Sequence, residues 1–216
     1  MIISLHIPKT AGTALATFLD YGTKRKILYD YDDFIPNDVA FMREHKDFIE
    51  RFSVIHGHFH YSKYKDVFPE AKYITCVRHP VERTISNYFH VMREKNMNIF
   101  SYRRIVEDKL DIVGFAKLGN MRRAQSIYME GRAVEDYDFI GITENLDRSV
   151  DVMCNLFGIP RMTPFDSSIK VNSNPHKPEV SDEDRRLIEE ACWEDMNIYN
   201  RALEKFESQK AKFRFW

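Results

Sequence analysis

Disulfide-forming cysteine is what this chain most plainly lacks. Its three cysteines, Cys76, Cys154 and Cys192, are widely separated and odd in number. That excludes a disulfide framework and a metal knuckle, and they read as reduced, buried thiols. No apolar run approaches the roughly 20 residues that span a bilayer. No leader with a charged start and an apolar core precedes the first strand pattern. The expectation is a cytoplasmic protein with no membrane partner. Net charge is nearly absent too: 32 basic against 33 acidic residues give −1 at pH 7. No global attraction to nucleic acid is therefore expected. Repeats and low-complexity segments are missing. What remains is a composition of 44% hydrophobic and 30% charged residues, that of a globular protein. The 216 residues suffice for one domain, 1–216, with a substantial core.

Strand and helix patterns alternate. Apolar β-type runs occur at 2–7, 53–55, 72–77 and 137–142. Helical spacing marks 13–19, 39–51, 119–129 and 146–157, and a helix opens at Pro80, where a missing N–H costs nothing. Residues 22–37 read as loop with a short element, and 95–118 as partly helical. A long helix capped by Ser181 covers about 181–208, followed by a basic, aromatic tail at 210–216. This order implies an α/β fold with a mostly parallel central sheet flanked by helices. Ligands of such sheets bind beyond the carboxyl ends of the strands.

Three segments sit where strands end. The first is Ile-Pro-Lys-Thr-Ala-Gly-Thr at 7–13. A strand, a tight turn and a helix N-terminus leave backbone N–H groups free for an anion. Lys9 adds a charge, Thr10 and Thr13 add hydroxyls, and Ala11 and Gly12 complete the turn. This is not the G-x-x-x-x-G-K-[ST] order of nucleotide triphosphatases, and no acidic residue ends a later strand to hold magnesium. The second pairs Arg78, at the end of a strand, with Ser86 two helical turns on, a set suited to a separate phosphate. Arg83 reads as a structural partner of Glu82 or Glu144. The third is His56-Gly57-His58-Phe59-His60. If extended, its three histidines share a face. They suit either a metal site, with no acidic or cysteine ligand nearby to complete it, or a general base.

Together, His-Ile-Pro-Lys-Thr-Ala-Gly-Thr, His-Gly-His-Phe and Val-Arg-His-Pro-Val-Glu-Arg-Thr-Ile-Ser-Asn-Tyr resemble the sulfotransferases that use 3′-phosphoadenosine 5′-phosphosulfate (PAPS). The branch they are most similar to is the heparan sulfate 2-O-sulfotransferase type and its bacterial relatives. Residues 139–146 and the last helix, with Asp195 and Tyr199, share the likeness. The resemblance implies that Lys9, Thr10, Ala11, Gly12 and Thr13 hold the 5′-phosphosulfate. It implies that Arg78 and Ser86 hold the 3′-phosphate, with Lys177 added from a loop over the nucleotide. His58 would be the base, supported by His56, and Lys9 would stabilise the leaving phosphate. PAP would be the product, and no metal would be needed. His79 stands where the family motif commonly carries an acid.

The acceptor implied is a carbohydrate or a small alcohol. Arg103, Arg104, Arg122 and Arg123 could line a cleft for an acidic sugar or form a solvated face. Two other readings stay open: a nucleotide kinase or triphosphatase using the Lys9 turn, and a nucleotide-binding module without catalysis.

Overall fold

Five short parallel strands, in the order β2-β3-β1-β4-β5, carry everything else. The computed structural model describes residues 1–161 and 179–212. The strands are β1 (Ile2–Leu5), β2 (Ile27–Asp30), β3 (Val54–Gly57), β4 (Lys72–Val77) and β5 (Phe139–Ile142). Parallel strands need crossovers, and helices supply them. They are α1 (Gly12–Gly22), α2 (Val39–Glu44), α3 (Lys46–Ile49), α4 (Pro80–Glu94), α5 (Phe100–Glu107), α6 (Ile112–Ala116), α7 (Gly119–Arg122), α8 (Ala124–Met129), α9 (Leu146–Phe157), α10 (Asp182–Ala191) and α11 (Trp193–Lys212).

Apolar residues fill both faces of the sheet. Ile3, Val54, Ile55, Ile74, Val77, Phe139 and Ile140 are all at 0% exposure, as expected of parallel strands covered on two sides. Each such side chain contributes about 1.5–3 kcal/mol of burial. The register pairs Leu5 with Gly57 and with Thr75, Gly57 with Asp30, and Val77 with Ile142. The carboxyl ends of the strands therefore meet along one edge. The residues that follow them are His6, Tyr31, His58, Arg78 and Thr143.

The short element expected within residues 22–37 is the strand β2, entered through a turn in which Lys24 (φ 55°) and Arg25 (φ 63°) are left-handed. Three other sequence expectations need correction. Residues 39–51 form two helices that part at His45, whose ring nitrogen bonds the carbonyl of Phe41. Residues 119–129 part at Arg123, because the Asp195 carboxylate accepts from the amides of Gln125 and Ser126 and caps a new helix there. Finally, 181–208 is not one helix: α10 ends at Ala191 and α11 runs from Trp193 to Lys212, into the expected tail. Ile188 and Cys192 pack with Val81, Ile85 and Val113, whereas Tyr199, Ala202 and Phe206 pack with the sheet core. One straight helix cannot serve both clusters, and the chain turns at buried Cys192.

Candidate functional site

The turn between β1 and α1 is held in an unusual shape. Lys9 (φ 70°) and Ala11 (φ 63°) both lie in the left-handed region, which costs a non-glycine residue roughly 1–2 kcal/mol. Alternation of this kind directs successive amides inward, a geometry that receives anions. α1 then starts with no side-chain cap and no acid in its first turn, so its N-terminal amides keep their donors for a ligand. Thr10 is buried, and its hydroxyl donates to the Ile7 carbonyl at 2.8 Å. Its proton therefore pins the turn, leaving the Thr10 amide for the anion. Thr13 is exposed on the first helical turn. Gly12 has a reason beyond the ligand: a Cβ there would lie 1.8 Å from Cδ2 of His6.

Cations converge on this turn. The Arg78 guanidinium donates to the Lys9 carbonyl at 3.3 Å, with Glu144 at 4.0 Å from its Nε. Burial lowers the pKa of Lys9, and the charges of Arg93 and Arg78 lower it further, against Glu94. His90 is lowered by burial and then by Lys9. His90 and Arg93, the two α4 residues coupled to the Lys9 charge, lie at helical spacing from Ser86. Like charges gathered in this way are a strained arrangement that a bound polyanion relieves. Lys9 and Arg78 are thus brought together, whereas no hydrogen bond joins Ser86 to Arg78 among the described residues. Lys177 lies outside the described residues.

Behind Arg78 stands a buried clamp. Gln125 accepts from the Arg78 amide and donates to the Arg78 carbonyl, both at 2.9 Å. Asp195 in turn fixes the Gln125 amide at 2.9 Å and the Ser126 hydroxyl at 2.6 Å. Burial raises the Asp195 pKa, and these bonds and Arg83 oppose the rise. Arg83 departs from expectation. It pairs with neither Glu82 nor Glu144 but is buried, donating to the Met121 carbonyl at 2.7 Å and to Thr84. Glu82 binds Arg185 at 2.6 Å, while Glu144 accepts from the His79 amide and the Tyr199 hydroxyl.

The histidines do not form the expected row. β3 ends at Gly57, so His60 leaves the edge and packs edge-on against Tyr128 at 4.9 Å. The third imidazole is His6, which stacks on His58 at 4.3 Å and on His56 at 5.1 Å. His56 is fully buried, its Nδ1 2.9 Å from Ser4 Oγ and its Nε2 without a hydrogen-bond partner among the described residues. Burial, then His58, pushes its pKa down to about 3, so it is neutral. His58 reaches solvent, and its Nδ1 lies 2.7 Å from the His6 carbonyl. A carbonyl only accepts, so Nδ1 carries the proton and Nε2 keeps its lone pair. Partial burial lowers the pKa of His58, opposed by the His6 carbonyl and the Asp32 carboxylate. The geometry is that of a neutral base with a defined tautomer.

His6 and Tyr31 are the site residues that sequence reasoning missed. His6 follows β1 at the level where His58 follows β3, a coincidence legible only with the register. Tyr31 follows β2, and its hydroxyl is 2.7 Å from His6 Nδ1. Of the four arginines considered for an acidic acceptor, Arg104 is paired with Asp108 and Arg123 with Glu194. Those two therefore act as surface ion pairs. Among the described residues, no three His, Cys, Asp or Glu side chains are grouped to hold a metal ion, and no helix is long and apolar enough to cross a membrane.

A family model described as "Sulfotransferase family" matches residues 1–207. Two solved structures are similar to the chain. One is a sulfotransferase from Alicyclobacillus acidocaldarius, at 15% identity and a TM-score of 0.44, covering 95% of each chain. The other is mouse sulfotransferase SULT7A1 complexed with PAP, at 15% identity and 0.44, covering 99% of this chain and 84% of that one. No curated protein sequence matches the chain.

Proposed function

The chain belongs to the sulfotransferase family, and from that premise we propose that it moves a sulfuryl group from PAPS to an acceptor hydroxyl with His58 as the base. The observation that carries this reading is the convergence of Lys9, Arg78 and Arg93 on an amide-lined turn beside a solvent-accessible imidazole whose Nε2 has no hydrogen-bond partner among the described residues. When bound, PAPS supplies the activated sulfuryl group and leaves as PAP. Lys9 and the amides of Thr10, Ala11, Gly12 and Thr13 hold the 5′ end and stabilise negative charge on the leaving phosphate. Arg78 and Ser86 hold the 3′-phosphate, and Lys177 adds to the nucleotide grip. His58 Nε2 takes the acceptor proton as its oxygen attacks sulfur in line. His56 is buried and neutral, which supports a positioning role for it, through its stacking, over direct proton removal.

The acceptor in this reading is a carbohydrate or a small alcohol, turned over by one catalytic domain spanning 1–216. Three free cysteines suit a reducing compartment, in keeping with a cytoplasmic location.

Transfer of labelled sulfate from PAPS to members of a sugar and alcohol panel tests the reaction directly. Thermal shift against PAP and against ATP with magnesium separates it from a kinase. Stabilisation by PAP is expected; stabilisation by ATP with magnesium alone would replace the proposal. PAP binding without transfer to any acceptor would leave a nucleotide-binding module.

A further inference from the structure

The His6 ring spans the site from side to side. Its Nδ1 meets the Tyr31 hydroxyl at 2.7 Å. Its opposite edge rests on the first residue of α1: an added Cβ on Gly12 would sit 1.8 Å from Cδ2 and 2.2 Å from Nε2. Among the described residues, the hydrogen bond of the His6 ring is the one through Nδ1, and none is made by Nε2. We propose that His6 donates a hydrogen bond from Nε2 to the phosphosulfate end of the donor, and that Tyr31 sets the tautomer that makes this possible. The inference rests on the PAPS reading above.

The chemistry follows from the inventory of donors. Burial holds the Tyr31 phenol protonated, its pKa raised to about 12. A neutral phenol has one proton to give, and His6 Nδ1 is the acceptor within reach. His6 is itself neutral, its pKa pushed to about 2 by burial and by His56, His58 and Lys9. A neutral imidazole that accepts at Nδ1 carries its proton on Nε2. That N–H then lies against the uncapped N-terminus of α1, where the amides already favour an anion. His6 would therefore touch the donor with its ring while its main-chain carbonyl orients the base, His58. Tyr31 acts through His6 as a positioning residue. Its edge-on packing with His58 at 4.9 Å keeps the assembly together.

The experiment combines calorimetry with side-chain nitrogen NMR during PAP titration of the full chain. In the wild type, His6 should be neutral with its proton on Nε2, and that N–H should shift when PAP binds. His6→Phe should weaken PAP binding roughly 10- to 100-fold, the loss of a hydrogen bond to a charged group. His6→Gln returns an N–H near Nε2 and should recover most of the affinity. Tyr31→Phe should let the Nδ1–H tautomer of His6 appear. PAP binding with the His6 proton on Nδ1, with an unmoved Nε2–H, or with His6→Phe at full affinity would overturn the inference alone. Wild-type protein that takes up no PAP would bring down the PAPS reading together with it. Should His6→Phe not fold, the tautomer in wild type and in Tyr31→Phe still decides.

Discussion

The guanidinium of Arg78 donates to the main-chain carbonyl of Lys9 at 3.3 Å, tying the turn after β4 to the turn after β1. Arg78 is thus more than a free cation at a strand end. It braces the segment that holds the other charge, and Gln125 braces Arg78 from behind.

Arg78→Ala should therefore weaken PAP binding by about 1.5–3 kcal/mol, the worth of a bond to a charged group, and loosen the Lys9 turn as well. Gln125→Leu strands the buried amide and carbonyl of Arg78. It should cost about 2 kcal/mol of stability and lower PAP affinity, although Gln125 is itself fully buried. Calorimetry and denaturant unfolding on both variants check this.

Turnover should depend on neutral His58. Its pKa is lowered from the usual 6.5, so the imidazole is deprotonated through neutral pH. Rate should fall only as pH drops below that ordinary value. His58→Ala should lower turnover roughly 10²–10⁴-fold, leave PAP affinity unchanged and abolish the acidic limb of the profile. Steady-state rates from pH 5 to 8 are the measurement.

Stability should also fall in acid. The buried His56 takes up its proton only near pH 3 when folded, but near 6.5 when unfolded. Between these values the unfolded chain binds more protons, so stability rises with pH. It is complete above about 6.5 and is lost at about 1.4 kcal/mol per unit as pH falls below that. His56→Gln should remove one proton's worth of that slope in urea unfolding between pH 4 and 7.

Two glycines should respond differently to alanine. At Gly57 the new Cβ would lie 1.7 Å from the Asp30 carbonyl oxygen, a main-chain atom paired within the sheet. At Gly12 it meets the His6 ring, a side chain whose displacement leaves the sheet's main-chain pairing intact. Gly57→Ala should be the more destabilising, by more than about 3 kcal/mol. Gly12→Ala should keep more stability but lose activity as His6 is displaced. Thermal melts and sulfate transfer distinguish the two.

Much of the sheet edge was legible from residues alone. β4 and the start of α4 follow from an apolar run and Pro80 at the first helical position, and the Lys9 turn from its strand-to-helix setting. The rest depends on partners distant in sequence. β2 is four residues long and borrows its stability from pairing with β3, so its own pattern announces a short element but not a strand, and Tyr31 was lost with it. His6 gains meaning only when the register sets it beside His58. The break at Cys192 reflects two packing targets in different directions, which the periodicity of one helix cannot reveal. His60 was misplaced because β3 stops at Gly57, where the backbone crowds against β2.

His6, Tyr31, His58 and Arg78 each stand one position beyond the last paired residue of their strand. Successive side chains in a strand point to opposite sides. Inserting or deleting a single residue just ahead of any of the four would swing that group to the far side of the sheet. Spacing in the strands is therefore under a stricter constraint than the apolar identities that fill them, which can be exchanged for others of similar volume.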